Sequence, residues 1–164
     1  MFLKVLMLKQ DDPRKCSAAK LVKFGLAKPV TRTASRTLIL NPFSKKILLK
    51  SDKKSVNSIT GIDCSWNLVT SAFKKPFTGI SRKLPPLLAG NPVNYSKLNK
   101  LTTVEALAAA AYILGDSDMA TTLLDKFKWG HTFFALNKNI LEDYSKAESE
   151  SDIAEICQEY RLFV

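Results

Sequence analysis

Ser58-Ile59-Thr60-Gly61-Ile62-Asp63-Cys64-Ser65-Trp66 is the stretch around which the 164-residue chain is organised. Ser58–Ile62 is rich in β-branched residues and reads as a short strand. An acid and a small polar residue follow, and Trp66-Asn67-Leu68-Val69 opens a helical pattern that Ser65 is able to cap. This order sets the Asp63 carboxylate at the carboxyl end of a strand, where open α/β sheets present ligand-binding groups. From spacing alone two readings fit Trp66: a core residue of a strand-to-helix connection, or one wall of a site.

Upstream, Thr37-Leu38-Ile39-Leu40 reads as a buried strand that Asn41-Pro42 ends. Lys45–Lys50 fits either a short strand or a helical turn, and Ser51–Asn57 is charged and exposed. Residues 3–8 form the first strand. Gln10–Ser17 is a turn leading into a helix through Phe24, with Gly25 as its stop. Ser17 stands at or near that helix start, as a plain cap or as part of an anion site built with the free N–H groups. Arg14, Lys15 and Lys20 flank it, and Lys28–Arg36 is a second basic, polar stretch.

Downstream, the helix from Trp66 runs to about Phe73, and Lys74–Gly79 is a loop. Ser81–Pro86 is an extended basic connector, because residues before proline avoid the helical region. Leu87–Gly90 is expected to add one more buried strand. Asn91-Pro92-Val93-Asn94-Tyr95 is more elaborate than a chain reversal requires, which points to function. Leu101–Glu105 carries a helix-start pattern, and Ala106–Leu114 is apolar nearly all round, so that helix is buried. Gly115-Asp116-Ser117 restarts a helix expected to reach Trp129-Gly130. His131–Tyr144 and Ser151–Tyr160 are amphipathic with acidic outer faces. The expected organisation is a basic α/β lobe over residues 1–90 and an acidic helical lobe over residues 91–164.

Hydrophobic residues at 46% and charged residues at 24% describe an ordinary globular chain. Cys16, Cys64 and Cys157 are scattered, no C-x-x-C exists, and His131 stands alone, which argues against a metal site and against a disulfide framework. That cysteine usage fits a reducing, cytoplasmic setting. Met1–Leu8 is interrupted by Lys4 and reads as a strand rather than a signal peptide, and no apolar run has bilayer-spanning length. Charge is strongly polarised. Residues 1–100 hold 20 Lys and Arg against 4 Asp and Glu, a net +16, and residues 101–164 hold 5 against 11, a net −6. Such a basic lobe favours a polyanion, most simply nucleic acid, through phosphate neutralisation.

Taken together, the motifs resemble the small-subunit ribosomal RNA aminocarboxypropyltransferases, S-adenosylmethionine-dependent ribosome biogenesis enzymes. The resemblance rests on Asp12-Pro13-Arg14-Lys15-Cys16-Ser17 with Lys20-Leu21, on Ile62–Trp66, and on Arg82-Lys83-Leu84-Pro85. It continues through Asn91–Tyr95, Leu101–Ala106 and Lys126-Phe127-Lys128-Trp129-Gly130, in the family's order. Gly90 and Ser96 stand where members often carry Ala and Gly. The compact length is similar to that of archaeal members.

The resemblance implies a SPOUT-like α/β fold with a deep trefoil knot, which no reading of composition reaches because knots are rare. It implies transfer of the 3-amino-3-carboxypropyl group of S-adenosylmethionine to N3 of a uridine-type nucleotide in small-subunit rRNA, by a monomer without a metal. It assigns Trp66 to shielding the cofactor methyl, and Ser17 with the N–H near Thr103 to the carboxylate of the transferred chain. The backbone of Ile62 meets the ribose. Adenine lies among Leu40, Pro42, Trp66 and Leu101, read by backbone at Leu84 and around Asn99. Asp63 is the candidate to take the proton from the attacking nitrogen, and Lys15, Lys20 and Arg82 are the candidates for RNA phosphates. Two rival expectations are a SPOUT-type RNA methyltransferase, which the Trp66 wall opposes, and a non-enzymatic RNA-binding assembly factor.

Overall fold

The computed structural model describes residues 1–162. Five strands, β1 (Phe2–Met7), β2 (Lys28–Pro29), β3 (Thr37–Leu40), β4 (Ser58–Asp63) and β5 (Ile80–Arg82), form one sheet in the order β2-β1-β4-β3-β5, every pair parallel. Parallel neighbours need crossovers, and α1 (Ser17–Lys23) and the one-turn α2 (Val69–Ala72) lie in two of them. The α/β class expected from the sequence is observed.

The opening stretch is the middle of this sheet. Along β4, Ser58–Gly61 is buried, and Val5 of β1 faces Gly61 while Ile39 of β3 faces Thr60. Thr37 and Thr60 share a 2.7 Å hydroxyl hydrogen bond inside the sheet, so two buried hydroxyls satisfy each other. Helix α3 (Thr103–Ile113) lies against β4 and α1, and its alanine run Ala108–Ala111 is buried. The small side chains allow this close approach: a Cβ at Gly61 would meet Thr103 Cγ2 at 3.0 Å. Helices α4 (Ser117–Leu124), α5 (Gly130–Tyr144) and α6 (Glu150–Glu159) follow in the described residues. One apolar core runs from Leu3 and Val5 through Leu107 to Leu141 and Ile153, so it crosses the charge boundary near residue 100.

Three local expectations are corrected. Leu87–Gly90 adds no strand to the sheet; it is an extended segment that makes one antiparallel bridge, Leu88 to Leu98, with backbone bonds to residues 96–99, and side chains meet the rest. Tyr144 donates its hydroxyl proton to Pro86 O, Asn99 Oδ1 accepts Leu87 N–H, and Asn137 both accepts Leu88 N–H and donates to Leu88 O. Buried backbone needs partners, but they need not be a ladder. The helix from Trp66 is a 3₁₀ turn (Trp66–Leu68) followed by α2. Helix α4 stops at Leu124 rather than reaching Trp129, because the chain folds back until Gly130 abuts Leu124 O, where any Cβ would collide. Lys45–Lys50, open between strand and helical turn, contributes one parallel bridge, Ile47 to Lys83, before a 3₁₀ turn over Lys50–Ser55.

Candidate active site

A cleft of about 930 Å³ opens where β3 and β4 end, between the N-termini of α1 and α3, with α6 on its far side. Ser17, Leu40, Pro42, Ile62, Asp63, Trp66, Leu84, Asn99, Leu101 and Thr103 all line it. These are the residues named from the sequence for the cofactor and for proton transfer. They come from five separate stretches of the chain.

Two helix starts meet here. Ser17 is the first residue of α1 rather than its cap; Cys16 Sγ is the cap, accepting Ala19 N–H at 3.4 Å. The buried Ser17 hydroxyl oxygen accepts Val104 N–H from α3 at 3.2 Å, so its own proton remains to donate. At α3, Thr102 Oγ1 accepts Glu105 N–H and Thr102 O accepts Ala106 N–H. Thr103 N–H, among the described residues, meets no acceptor, and it stands at the positive end of an eleven-residue helix. The cleft therefore presents one O–H and one N–H donor suited to a carboxylate.

Asp63 ties the same elements together. Its Oδ1 accepts the Thr103 hydroxyl proton at 2.8 Å and its Oδ2 accepts the Cys16 thiol proton at 3.1 Å. Burial, with the Asp63 carboxylate adding to it, pushes the Cys16 thiol up to about 11. Burial also raises Cys64 to about 11, helped by the charges of Asp63 and Asp11. Both thiols hold their protons near neutrality.

Trp66 is half-buried, and two neighbours from one loop fix its ring. Its Nε1–H donates to Leu101 O at 3.0 Å, and Lys100 Nζ lies 4.7 Å from the ring centroid. Gln10 Oε1 accepts Ser65 N–H at 2.9 Å, which steadies the turn leading into the indole.

The loop after residue 90 hangs on one buried carboxylate. Glu105 accepts from Gly90 N, Asn91 N, Asn91 Nδ2, Thr102 N and Thr102 Oγ1, all within 3.0 Å. The capping-box spacing identified Glu105 as a helix-start residue; nothing local signals its reach across to Gly90 and Asn91. Cys16 and Lys100 carried no sequence signal for their contacts either.

The three proposed phosphate ligands separate. Lys15 is exposed and lines the cleft. Lys20 is exposed but outside it, its Nζ 5.8 Å from the Phe127 ring. Arg82 is engaged within the protein, pairing with Asp52 at 2.9 Å and donating to Ser81 O, both partners largely buried. A guanidinium so held is a poor ligand for an external phosphate. Among the described residues no group of three or more His, Cys, Asp or Glu is arranged for a metal, and no helix is long and apolar enough to cross a membrane.

The family model described as "Ribosome biogenesis protein, C-terminal" matches residues 38–161. A second model, "Possible Fer4-like domain in RNase L inhibitor", matches residues 4–35. That segment holds one cysteine, Cys16, against the four thiolates an iron–sulfur cluster takes, so its residues do not fit a cluster. The 16S rRNA aminocarboxypropyltransferase of Methanococcoides burtonii is 43% identical over 96% of this chain and 94% of its own length. That of Methanobrevibacter smithii is 40% identical over 98% and 97%. The solved SAM-dependent rRNA:acp-transferase Tsr3 of Vulcanisaeta distributa superposes with a TM-score of 0.85 at 37% identity, covering 95% of this chain and 86% of that one. By sequence and by fold, the chain belongs to the 16S rRNA aminocarboxypropyltransferase family.

Proposed function

We propose that this chain transfers the 3-amino-3-carboxypropyl group of S-adenosylmethionine to a ring nitrogen, N3, of a uridine-type nucleotide in small-subunit rRNA during ribosome biogenesis. The observation that carries this reading is the cleft itself: the nine residues expected to hold the cofactor line one cavity, with free donors from Ser17 and Thr103 in it. Bound there, S-adenosylmethionine supplies a sulfonium whose aminocarboxypropyl carbon accepts the nucleophile, with methylthioadenosine leaving.

Ser17 O–H and Thr103 N–H hold a carboxylate at the meeting of α1 and α3. Leu40, Pro42 and Leu101 give an apolar seat for a purine, and backbone at Ile62, Leu84 and Asn99 reads its polar atoms. Trp66 walls off the methyl, and its π-face favours a neighbouring cation. Selecting one of three carbons is a problem of orientation, and orientation supplies much of a barrier reduction. Asp63, at the end of β4, accepts the proton released by the attacking nitrogen. It does so while already accepting from Cys16 and Thr103. Lys15 and Lys20 meet RNA phosphates, and Arg82 holds the β5 end through Asp52.

The same reading includes a SPOUT-like trefoil knot, a monomer, and a cytoplasmic site of action. What supports the knot is the path after β5. Residues 83–101 leave the sheet edge, pair Lys83 with Lys46 and Leu48, bury Leu87 and Ala89, and return to the central strand at α3.

The experiment is incubation of unmodified small-subunit rRNA with enzyme and cofactor labelled either in the carboxyl carbon or in the methyl group, followed by mass spectrometry of the nucleosides. Carboxyl label in one uridine-type nucleoside is expected. Methyl label in the RNA overturns the proposal in favour of methyl transfer, and label in neither favours an RNA-binding factor.

A further inference from the structure

Phe43 is 54% exposed, yet it is not loosely placed. Asn41 Oδ1 accepts Phe43 N–H at 2.9 Å, Asn41 Nδ2 donates to Ser81 Oγ at 3.0 Å, and Ser44 Oγ–H donates to Ser81 O at 3.1 Å. The turn carrying the ring is thus bolted to β5 on both sides. Phe43 meets Phe73 edge to face at 5.9 Å, and Phe73 meets Phe77 the same way at 5.5 Å. Phe73, Asn41 and Pro42 line the cleft, so the aromatic cluster forms its rim.

Charge tells what this rim fits. Lys45 and Lys46 follow Phe43, Lys74 and Lys75 follow Phe73, and all four are exposed. Residues 41–50 and 70–79 contain no acid. An aromatic face among lysines is the arrangement that binds single-stranded nucleic acid, the ring stacking on a base and the ammonium groups following the phosphates. A second consideration is chemical. N3 of a uridine lies on its pairing edge, so a base inside a duplex cannot offer it, and enzymes acting on such atoms take the base out of the stack.

We infer that the Phe43–Phe73–Phe77 rim is a stacking platform for an unpaired nucleotide of the RNA substrate, adjacent to the one that enters the cleft. This rests on the reading of the cleft as the site of aminocarboxypropyl transfer to RNA. Phe43 supplies the exposed face; Phe73 and Phe77 hold its ring in place. A pre-organised ring loses little freedom on binding, which favours a rigid turn over a flexible one.

The test uses the full chain with two RNAs of one composition, a hairpin with uridines in its loop and a fully paired duplex, and follows binding by fluorescence anisotropy and turnover by KM for RNA. Wild type is expected to prefer the hairpin. Phe43→Ala is expected to weaken hairpin binding about tenfold and raise KM accordingly. Phe43→Trp is expected to restore both. Calorimetry with S-adenosylmethionine should give the same affinity for all three proteins. Equal hairpin affinity for wild type and Phe43→Ala overturns the platform and leaves the transfer reading intact, as does equal binding of hairpin and duplex by wild type. Phe43-dependent hairpin binding without any transfer sinks the transfer reading and keeps the platform.

Discussion

Ser17 Oγ accepts the Val104 N–H at 3.2 Å, joining the first turn of α1 to the first turn of α3 across 87 positions of sequence. One residue earlier at each of these helix starts, Cys16 and Thr103 both donate to Asp63. The carboxyl end of β4 and two helix N-termini are therefore one hydrogen-bonded unit. The donors left over, Ser17 O–H and Thr103 N–H, are positioned by it.

Ser17→Ala removes an acceptor and leaves Val104 N–H buried without a partner. An orphaned buried N–H costs about 1–2 kcal/mol, and the cleft loses one donor as well. Chemical denaturation should show that loss of stability, and calorimetry should show weaker S-adenosylmethionine binding. Ser17→Thr should recover most of both, since its hydroxyl serves the same two roles. An alanine variant with wild-type affinity would show that the donor role lies elsewhere.

Trp66 is held from two directions, by Leu101 O on its edge and Lys100 on its face. Trp66→Ala should weaken cofactor binding about tenfold or more while circular dichroism stays native, because the ring is half-buried and packs a wall rather than the core. Lys100→Ala should have the smaller effect an exposed cation–π contact allows, about two- to fivefold, with Lys100→Arg close to wild type. The more telling measurement is the product ratio. Methyl transfer appearing in Trp66→Ala supports the wall, and strict aminocarboxypropyl transfer in that variant removes it.

Much of the site was legible in the sequence, for a physical reason: helix starts and strand ends are local features. Thr102 and Glu105 mark the start of α3, and Gly61-Ile62-Asp63 marks the end of β4, without any knowledge of the fold. That Ser17 and Thr103 stand side by side is a matter of tertiary contact, which family resemblance carries and periodicity does not. Leu87–Gly90 shows where local reasoning stops. Its apolar run fits a strand, yet Asn137 and Glu105 meet its backbone from distant helices, and residues 96–99 of the following loop meet the rest. Arg82 shows the same limit for charge, since a basic residue among lysines gives no sign that Asp52, thirty positions earlier, already holds it.

Glu105 is fully buried and accepts five hydrogen bonds, so charge and acceptor capacity are both used. In Glu105→Gln one oxygen becomes an amide donor facing donors from the Gly90–Asn91 loop or from Thr102. The expected cost is about 3 kcal/mol, with the largest gain in hydrogen exchange at Gly90, Asn91 and Thr102. A uniform rise in exchange over the whole chain would instead mean a global effect, with no special hold on that loop.

Cys16 and Cys64 give the stability a defined response to alkali. Each thiol is raised from an ordinary value of 9.0 to about 11 in the folded chain, mainly by burial. Between those values the unfolded chain has lost protons that the folded chain keeps, so unfolding is favoured as pH rises. The contribution is intact below pH 9 and is lost as pH passes through about 11. Urea midpoints should therefore hold steady from pH 7 to pH 8 and fall by pH 10.5. Cys16→Ser removes one of the two titrations, because a serine hydroxyl can still donate to Asp63 and does not ionise in this range. Its midpoint should fall less over the same interval. An identical decline in wild type and Cys16→Ser would assign the alkaline loss to other groups.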